Sequence, residues 1–540
     1  MLADTPDIDG PTRANRCPSE ERPGSAVPAD GGLGVPVRRI GLEQEFFVVD
    51  QTGALCDLAD LFLRRWWEAA EAGGLDPGCV KPECVKGMVE ITTPPSSGFE
   101  DLAKNYLSNL NLALEVASDL GLALYPLGTY PLPIMPAVRD DPSYRVQAST
   151  IGYNRFLSAG RCAGTHLHLE LPAGTVWPDV KVALDAPAVV REELLDLYNL
   201  ATALDPALVA LTRACPFYEG GIDGLAARTV HYRGIFGLDG VYANVQEVGA
   251  LSAYASCVKD LVDQQRARYV AWFAAMDLAG VERRLFASTG GAQHRASWNP
   301  VRLNHHGTLE IRSMDSNYPE VILRVCSLIC GAVDRVRSQH LKVRPSHEVR
   351  TVQLDGDVLL VPHFSYLSGE LLSAAITGGV NDHRIKSYLD SVIGFASAFV
   401  EEPEAIGLLG GTGIYETTES EILKTFSPLR VSVTRYEGLL LVREACRRLK
   451  EQVSSLHHRH DETPQASERN PGGANVISVR DSPTISAGGE LPAAVNDAQA
   501  LARAVNNGPA LVLGKPPLYL SVGGDELGDR FAPVSSKERK

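Results

Sequence analysis

Alternation of apolar and polar positions marks several short stretches of the chain as β-strands. In the first of them the even-numbered positions are mostly apolar, whereas Glu43 and Glu45 occupy positions between them. Side chains two residues apart point to the same face of a strand. We therefore predict four strands, three of which carry apolar side chains on one face and charged or imidazole groups on the other. These strands fall at residues 40–48, 87–93, 164–171 and 307–315.

Apolar positions recur every three or four residues elsewhere, which predicts long amphipathic helices between and after the strands. Ser97 and Glu100 have the spacing of a capping box at a helix start, and Pro319 suits a first helical turn. Cys326 and Cys330 fall on one apolar face, which favours core residues over a redox pair. The mixture of helices and strands without a regular βαβ repeat predicts an α+β fold. We expect the helices at about 97–120, 190–204, 250–277, 319–341 and 435–453.

The polar faces of the four strands share one kind of chemistry. Neighbouring carboxylates repel each other unless a cation lies between them, and a lone buried acid is costly. Taken singly, each strand is also compatible with a solvated face or a surface ion pair. If the four strands form one sheet, however, they place five carboxylates, two imidazoles and a guanidinium on a common surface. These groups are Glu43, Glu45, Glu90, His166, His168, Glu170, Glu310 and Arg312.

Such a surface is richer in oxygen ligands than in nitrogen or sulfur. This composition favours Mg²⁺ or Mn²⁺ over zinc, although His166 and His168 leave a zinc hydrolase as an alternative. The HExxH motif of zinc peptidases is absent from the sequence. A P-loop is absent as well, since the one Gly-Lys pair, at 514–515, is followed by proline. Divalent ions and scattered arginines would therefore have to hold any nucleotide phosphate.

Composition restricts the partners and the compartment. The 540 residues carry a formal net charge of −15, which argues against nucleic acid or an anionic membrane as the main partner. We find no signal pattern, and ten scattered cysteines without a CxxC pair indicate a reducing cytoplasm. Residues 1–35 are predicted to be a disordered leader and 36–455 a single catalytic domain. Residues 456–540 are predicted to be a largely disordered tail with a short apolar segment.

Four motifs in order resemble the glutamate–cysteine ligases and the related carboxylate–amine ligases. They are Gly-Leu-Glu-Gln-Glu at 41–45, Val-Glu-Ile-Thr-Thr-Pro at 89–94, Gly-Thr-His-Leu-His-Leu at 164–169 and Leu-Glu-Ile-Arg-Ser-Met-Asp at 309–315. The resemblance covers about residues 40–400. It implies a glutamine-synthetase-like fold, in which a curved antiparallel sheet forms an active-site funnel and helices pack outside.

The resemblance also implies roles for individual residues. The metal ligands would be Glu43, Glu45, Glu90, His166 and Glu310. Arg312, together with Glu310, would be catalytic and would stabilise the transferring phosphoryl group, and His168 would lie near the nucleotide phosphates. Arg228, and more weakly Arg233, would bind substrate or phosphate. Tyr130 stands where the family's Gly-Thr-His-Pro motif has histidine.

The implied activity is the formation of an amide bond with ATP and Mg²⁺ or Mn²⁺ as cofactors. A carboxylate is phosphorylated to an acyl phosphate, which an amine then attacks. The simplest case joins glutamate and cysteine into γ-glutamylcysteine, the first step of glutathione-type thiol biosynthesis. Another amine acceptor, a metal-dependent hydrolase and a non-catalytic binding protein are the alternatives. The sequence is compatible with a homo-oligomer and does not identify the amine.

Overall fold

The structure is a computed structural model that describes most of residues 38–462. The exceptions within this range are 176–183, 223–225, 236, 293–294, 401–414 and 427–429. The predicted leader, and the tail beyond residue 462, lie outside the described residues.

In the residues that the structure describes, twelve strands form three sheets. The strands are β1 (Ile40–Asp50), β2 (Val80–Pro82), β3 (Met88–Thr92), β4 (Leu122–Tyr125), β5 (Gly164–Glu170), β6 (Phe217–Tyr218), β7 (Gly221–Ile222), β8 (Val301–Asn304), β9 (Thr308–Asp315), β10 (Lys342–Ser346), β11 (Gln353–Asp355) and β12 (Val358–Pro362).

The largest sheet has the order β2-β3-β1-β5-β9-β8, and β4 pairs with the far end of β1. Every neighbouring pair in it is antiparallel. The four predicted strands are β3, β1, β5 and β9, and they lie side by side at its centre.

Fifteen α-helices in the described part of the chain surround the sheets. They are α1 (Ala59–Gly73), α2 (Phe99–Asp119), α3 (Pro142–Ile151), α4 (Tyr153–Ala159), α5 (Ala188–Thr212), α6 (Ala227–Arg233), α7 (Gln246–Gly249), α8 (Val258–Leu278), α9 (Arg283–Ser288), α10 (Pro319–Ser338), α11 (Phe364–Tyr366), α12 (Leu372–Thr377), α13 (His383–Ala396), α14 (Thr418–Leu423) and α15 (Arg435–Glu462). The predicted α+β class with an antiparallel sheet is confirmed.

One face of the large sheet is the floor of the hydrophobic core. Leu42 and Phe46 of β1 are buried there, as are Leu167 of β5 and Ile311 of β9. The helices α2 and α5 pack against this sheet, and α10 packs against both of them. The apolar positions of the period-two pattern therefore face the helices, which leaves the charged positions on the other side.

Helix α5 forms the centre of the helical layer. It is the one helix in the described part of the chain that is long and apolar enough to cross a membrane, and its most apolar stretch is entirely buried in the protein. That is the arrangement of a core helix, because a solvent-covered helix of this composition would expose a large apolar surface.

Two sequence expectations differ in detail from the structure. The capping box of Ser97 and Glu100 does not form; instead the Asp101 carboxylate accepts a hydrogen bond of 2.9 Å from the Ser97 backbone N–H. Helix α15 continues to Glu462, nine residues beyond its predicted end and into the segment predicted as disordered tail. By contrast, Cys326 is fully buried in α10, and burial raises its pKa to about 12, in agreement with a core role.

A buried ion pair joins the helical layer to the sheet. Both terminal nitrogens of Arg233, in the last turn of α6, donate to the Asp205 carboxylate of α5, at 3.0 and 2.7 Å. The Ser313 hydroxyl of β9 donates to the same carboxylate. All three residues are buried. The pair therefore fixes α6 against both α5 and β9.

The Asp205→Asn substitution should destabilise the protein by about 3–5 kcal/mol, because it leaves the Arg233 charge buried without a counter-ion. Urea unfolding of the full chain measures this difference. Asp263→Asn is the matched control, since it breaks an exposed Lys259–Asp263 pair on α8 and should cost no more than about 1 kcal/mol. Equal losses in the two variants would contradict the assignment.

Candidate active site

The strand register brings the predicted ligand residues into a continuous row across the sheet. Glu45 of β1 lies directly opposite Glu90 of β3. Glu43 lies opposite His166 of β5. On the next pair of strands His168 lies opposite Glu310 of β9, which in turn faces Arg302 of β8. Directly opposed residues have their side chains close together on one face of a sheet. The row therefore results from the backbone pairing alone.

His166 lies at the centre of this row. Its Nδ1 is 3.4 Å from Glu43 Oε2 and 4.0 Å from Glu310 Oε1, and its Nε2 is 3.8 Å from Glu45 Oε1. Two sets of ligand atoms, each within 4.8 Å of one another, share this imidazole: Glu43, His166 and Glu310, and Glu45, Glu90 and His166. His166 Nε2 is buried and has no hydrogen-bond partner among the described residues.

His168 takes a different position from His166. Its Nδ1 is 2.9 Å from the Thr308 hydroxyl, and its Nε2 is 3.3 Å from Glu43 Oε2. It belongs to neither of the two groups of ligand atoms around His166 in the described part of the chain. His168 therefore lies at the edge of the cluster, on the side of β9.

Glu310 is surrounded by donors on the β8 side. Two nitrogens of Arg302 donate to its carboxylate, at 2.8 and 3.1 Å, and Arg312 Nη1 donates to Oε1 at 2.5 Å. The side-chain amide of Asn304 donates to Oε2. Arg312 Nη1 also lies 3.2 Å from His166 Nδ1, while its buried Nε has no acceptor among the described residues. Arg312 thus has one N–H available for a ligand.

A β-bulge lies beside this arginine. Thr165 pairs with Met314 and Leu167 with Ile311, so Arg312 and Ser313 of β9 both stand opposite the single residue His166. Arg312 points to Glu310, whereas the Ser313 hydroxyl bonds Asp205 of α5. Bulges often redirect side chains next to active sites. Here the bulge divides two adjacent residues between the polar cluster and the helical core.

The structure adds residues that the strand pattern did not reveal. Glu83 lies in the loop between β2 and β3, and the charges of Glu45 and Glu43 act on its carboxyl group. Lys81 of β2 stands 3.9 Å from both Glu43 and Glu90. Glu83 follows a proline and lies outside any stretch of alternating apolar and polar residues, so the sequence pattern gave no signal for it.

The carboxylates titrate in opposite directions because their neighbours differ. Burial and then the charge of Glu45 raise the pKa of Glu83 to about 8, and burial followed by the charge of Glu43 raises that of Glu90 well above its usual range. Burial opposes ionisation of Glu310 as well, but Arg302 and Arg312 outweigh it and hold its pKa well below the ordinary value.

The imidazole at the centre of the cluster remains neutral. Burial, and then the positive charge of Arg312, lower the pKa of His166 to about 3, although Glu43 acts in the opposite direction. A neutral imidazole is the form that binds metal.

These residues fit one or more hard divalent cations. Mg²⁺ and Mn²⁺ prefer carboxylate oxygens, and the cluster offers those of Glu43, Glu45, Glu90 and Glu310 around His166, whose Nε2 has no hydrogen-bond partner among the described residues. The raised carboxyl pKa values show that the protein alone does not neutralise this charge. A cation would relieve the repulsion.

Arg228 is brought to the same region by α6. It is buried, its Nη2 lies 3.5 Å from the Arg312 carbonyl oxygen, and its charge acts on Glu45. Gly164 makes this approach possible, since a Cβ there would lie 2.1 Å from Arg228 Nη2. The Gly164 backbone N–H in turn donates to Glu45 Oε2 at 2.6 Å.

Three residues singled out in the sequence are not part of the cluster. Arg233 is held by Asp205, as described above, so its role in the structure is to position α6. Glu170 pairs with Arg39 at 2.6 Å and lines a separate cavity of about 320 Å³ beside α2 and α10. Tyr130 is buried and donates from its hydroxyl to the Gly53 carbonyl oxygen at 2.7 Å.

Comparison with known proteins agrees with this geometry. The family model described as glutamate-cysteine ligase family 2 (GCS2) matches residues 39–356, which is more than half of the chain. All the residues of the row lie inside this range. The match confirms the resemblance that the four strand motifs indicated.

Individual relatives are distant. A Gloeobacter violaceus protein named "Putative glutamate--cysteine ligase 2" is 23% identical over 298 residues, which cover 54% of this chain and 67% of that protein. A glutamate–cysteine ligase of Halobacterium salinarum is 26% identical over 291 residues, which cover 51% of this chain and 64% of its own length. A Frankia casuarinae relative is 27% identical over 192 residues, 19% of its length. The matches thus span between a fifth and two thirds of these relatives.

Among solved structures, a glutamate–cysteine ligase of Francisella tularensis in complex with AMP is similar over 81% of this chain and 96% of its own. Its TM-score is 0.47 and its sequence identity is 12%.

Metal binding should depend on the row and not on neighbouring acids. Glu45→Gln and Glu90→Gln are expected to weaken Mn²⁺ binding at least tenfold, because each removes a charged ligand from the group around His166. Electron paramagnetic resonance of free Mn²⁺ during titration measures the affinity. Glu170→Gln, which alters the end of β5 outside the cluster, should bind Mn²⁺ as the unaltered chain does. Unchanged affinity in both cluster variants would disprove the site.

Without divalent cations, stability should fall as pH rises from about 4.5 to about 8. Glu83 has a pKa raised to about 8 in the folded protein, against 4.5 as its ordinary value, so the folded state holds the extra proton in this window. The stability that the Glu83 carboxyl group contributes is therefore fully present below pH 4.5 and is lost above about pH 8. Urea unfolding in a chelator should therefore show a smaller pH slope for Glu83→Gln. An identical slope would contradict the shift.

Proposed function

The chain belongs to the glutamate–cysteine ligase family 2, and on that premise we propose that it is an ATP-dependent carboxylate–amine ligase. The observation that carries the proposal is the row of carboxylates around His166 with Arg312 beside it. A cluster of acids with uncompensated charge suits metal-bound triphosphate, and a buried guanidinium suits a transferring phosphoryl group. The simplest substrates are glutamate and cysteine, with γ-glutamylcysteine as the product.

The reaction would proceed in two transfers. A carboxylate oxygen of the substrate takes the γ-phosphoryl group of ATP, which releases ADP and leaves an acyl phosphate. The amine nitrogen then attacks the acyl carbon, the bond from that carbon to the phosphate oxygen breaks, and inorganic phosphate leaves as the amine loses a proton. The carboxylates around His166 would hold divalent cations, which would supply positive charge to neutralise the nucleotide phosphates.

Arg312 is suited to stabilise the phosphoryl group. Glu310 holds one terminal nitrogen of its guanidinium, and its unpartnered Nε–H is left to donate to an anionic oxygen. We assign Glu43, Glu45, Glu90, His166 and Glu310 to metal binding, and add Glu83 because the charges of Glu45 and Glu43 act on its buried carboxyl group.

Arg228 and His168 would contact the anionic substrates. Arg228 is buried beside Glu45 and Arg312, where it suits a carboxylate or acyl phosphate, whereas His168 lies nearer the edge of the cluster. Arg233 would act indirectly, by fixing α6 and thereby Arg228. The zinc-hydrolase alternative gains no support here, because the two imidazoles do not share a group of ligand atoms among the described residues.

The remaining expectations form part of the proposal. Small molecules would be the partners, without nucleic acid or membrane, in a reducing cytoplasm, and the chain could act as a homo-oligomer. Residues 36–455 would form the catalytic domain, although α15 continues a little beyond that limit.

The proposal is tested by ADP release from the full chain with ATP, Mg²⁺ and glutamate, while each of the twenty amino acids and several small amines is added in turn. Glu43→Ala, Glu310→Ala and Arg312→Gln should each lower turnover at least about a hundredfold, the usual effect of removing one transition-state donor. Glu170→Gln is the matched control and should keep full activity. Full activity in the cluster variants, or no ADP release with any pair of substrates, would refute the ligase.

A further inference from the structure

A cavity lies next to the acidic cluster around His166, on the other side of Arg302. It has a volume of about 300 Å³, at the lower end of the range usual for small-molecule sites. Residues of α3, α8, α9 and β8 surround it, together with the loop that precedes β8. The reaction described above does not use this space.

Aromatic side chains form part of the walls of this cavity, beside polar residues. They include Tyr144 of α3, Trp272 of α8, Phe286 of α9 and Trp298 of the loop. Trp298 packs on Trp272 with ring centroids 4.9 Å apart, and stacks on Tyr242 at 5.2 Å with an interplanar angle of 20°. Aromatic walls of this kind favour a flat or bulky apolar group, which gains both buried area and ring contacts.

The cavity is held in a fixed shape. The Trp298 backbone N–H donates to the Val248 carbonyl oxygen at 2.7 Å, and Asn299 donates to the carbonyl oxygens of Glu247 and Ala250. Gln147 donates to the Tyr242 hydroxyl at 2.8 Å, which supports the ring on which Trp298 stacks. A ligand would therefore meet walls that are already ordered.

Arg295 supplies a positive charge at the edge of the cavity. Its side chain is exposed, and in the described part of the chain no carboxylate pairs with it. The other arginine of the lining, Arg302, already donates hydrogen bonds to Glu310 and to the Ser297 carbonyl oxygen. A planar guanidinium with free N–H groups is suited to bind a carboxylate through two hydrogen bonds.

The cavity shares lining residues with the proposed site of acyl transfer. Arg302 and Asn304 line it and also hold Glu310. Trp298 lines both this cavity and a space of about 10 Å³ that touches Arg228 and Arg312. A molecule in the cavity would therefore lie beside the residues that we assign to acyl transfer.

We propose that this cavity binds the amine substrate, and that the substrate is an α-amino acid with a large flat side chain, whose carboxylate is bound by Arg295. This inference rests on the proposed ligase function, and within that function it replaces cysteine by a larger amino acid as the amine. Cysteine would leave the aromatic side chains of the walls uncovered. The adenine ring of ATP is the competing occupant, and the variants below distinguish it from the amine.

Matched pairs of amines test the carboxylate contact. In the ADP-release assay tyrosine and phenylalanine should react with a kcat/KM at least tenfold above that of cysteine. Arg295→Gln should raise KM for tyrosine at least tenfold, and should change KM for tyramine, which lacks the carboxylate, less than twofold. KM for ATP should not change. Arg284→Gln, on the exposed side of α9, is the control and should match the unaltered chain.

A cavity-filling variant tests the size of the pocket. Thr289 lines the cavity beside Phe286, so Thr289→Phe should shift the preference from tyrosine toward alanine and cysteine and leave KM for ATP unchanged. Ser288→Phe places the same side chain on the exposed neighbouring position and should have no such effect. A rise in KM for ATP with Thr289→Phe would instead assign the cavity to the nucleotide base and overturn the proposal.

Calorimetric titration of tyrosine without ATP separates this inference from the proposed function. Tyrosine binding that Arg295→Gln weakens, in a chain that hydrolyses no ATP with any amine, would keep the pocket assignment and refute the ligase. Rapid ADP release with cysteine or small amines only, together with no tyrosine binding, would keep the ligase and refute the pocket assignment.

Discussion

Like charges fixed opposite each other by strand pairing are the constraint on which the rest of the site depends. Glu45 faces Glu90 because β1 and β3 are antiparallel in one register, and neither residue can move away without breaking that ladder. Directly opposed like charges destabilise a sheet. The fold tolerates them because apolar side chains on the opposite face bury the strands against α2 and α5. The core therefore holds in place an arrangement that the charges alone would disperse.

The two sides of the row balance charge differently. On the β3 side Lys81 is the one cation within ion-pair distance of the acids in the described part of the chain, and it is half exposed. On the β9 side Arg302 and Arg312 surround Glu310 and keep it ionised. Negative charge is thus in excess on the β3 side of the row and is matched by arginines on the β9 side. The β3 side is complementary to a metal-bound triphosphate. The arginines of the β9 side are complementary to an anionic carboxylate.

The sequence predicted much of the sheet and of the row, because period-two alternation reports directly which side chains share a face. It could not show that the four strands are neighbours, which depends on long-range pairing, although the combined chemistry of their polar faces pointed that way. Arg302 was missed because its role follows from its position opposite Glu310 on an edge strand. Glu83 lies in a loop, where no periodicity exists.

Local contacts that the sequence did not reveal bear on two of the expectations. Arg233 was grouped with Arg228 on the basis of a motif, and in the structure it pairs with Asp205, twenty-eight residues away in sequence. Asp101 satisfies the backbone N–H of Ser97 directly, so the capping box of Ser97 and Glu100 does not form.

The bulge between β5 and β9 has a consequence for how this protein can change in evolution. Two consecutive residues of β9 serve different layers there, since Arg312 belongs to the cluster and Ser313 to the buried ion pair of Asp205 and Arg233. Single substitutions in these strands alter one layer at a time. An insertion or deletion of one residue would exchange the faces of every position beyond it and disturb both layers together. The lengths of β5 and β9 should therefore be under stronger constraint than most of their side chains.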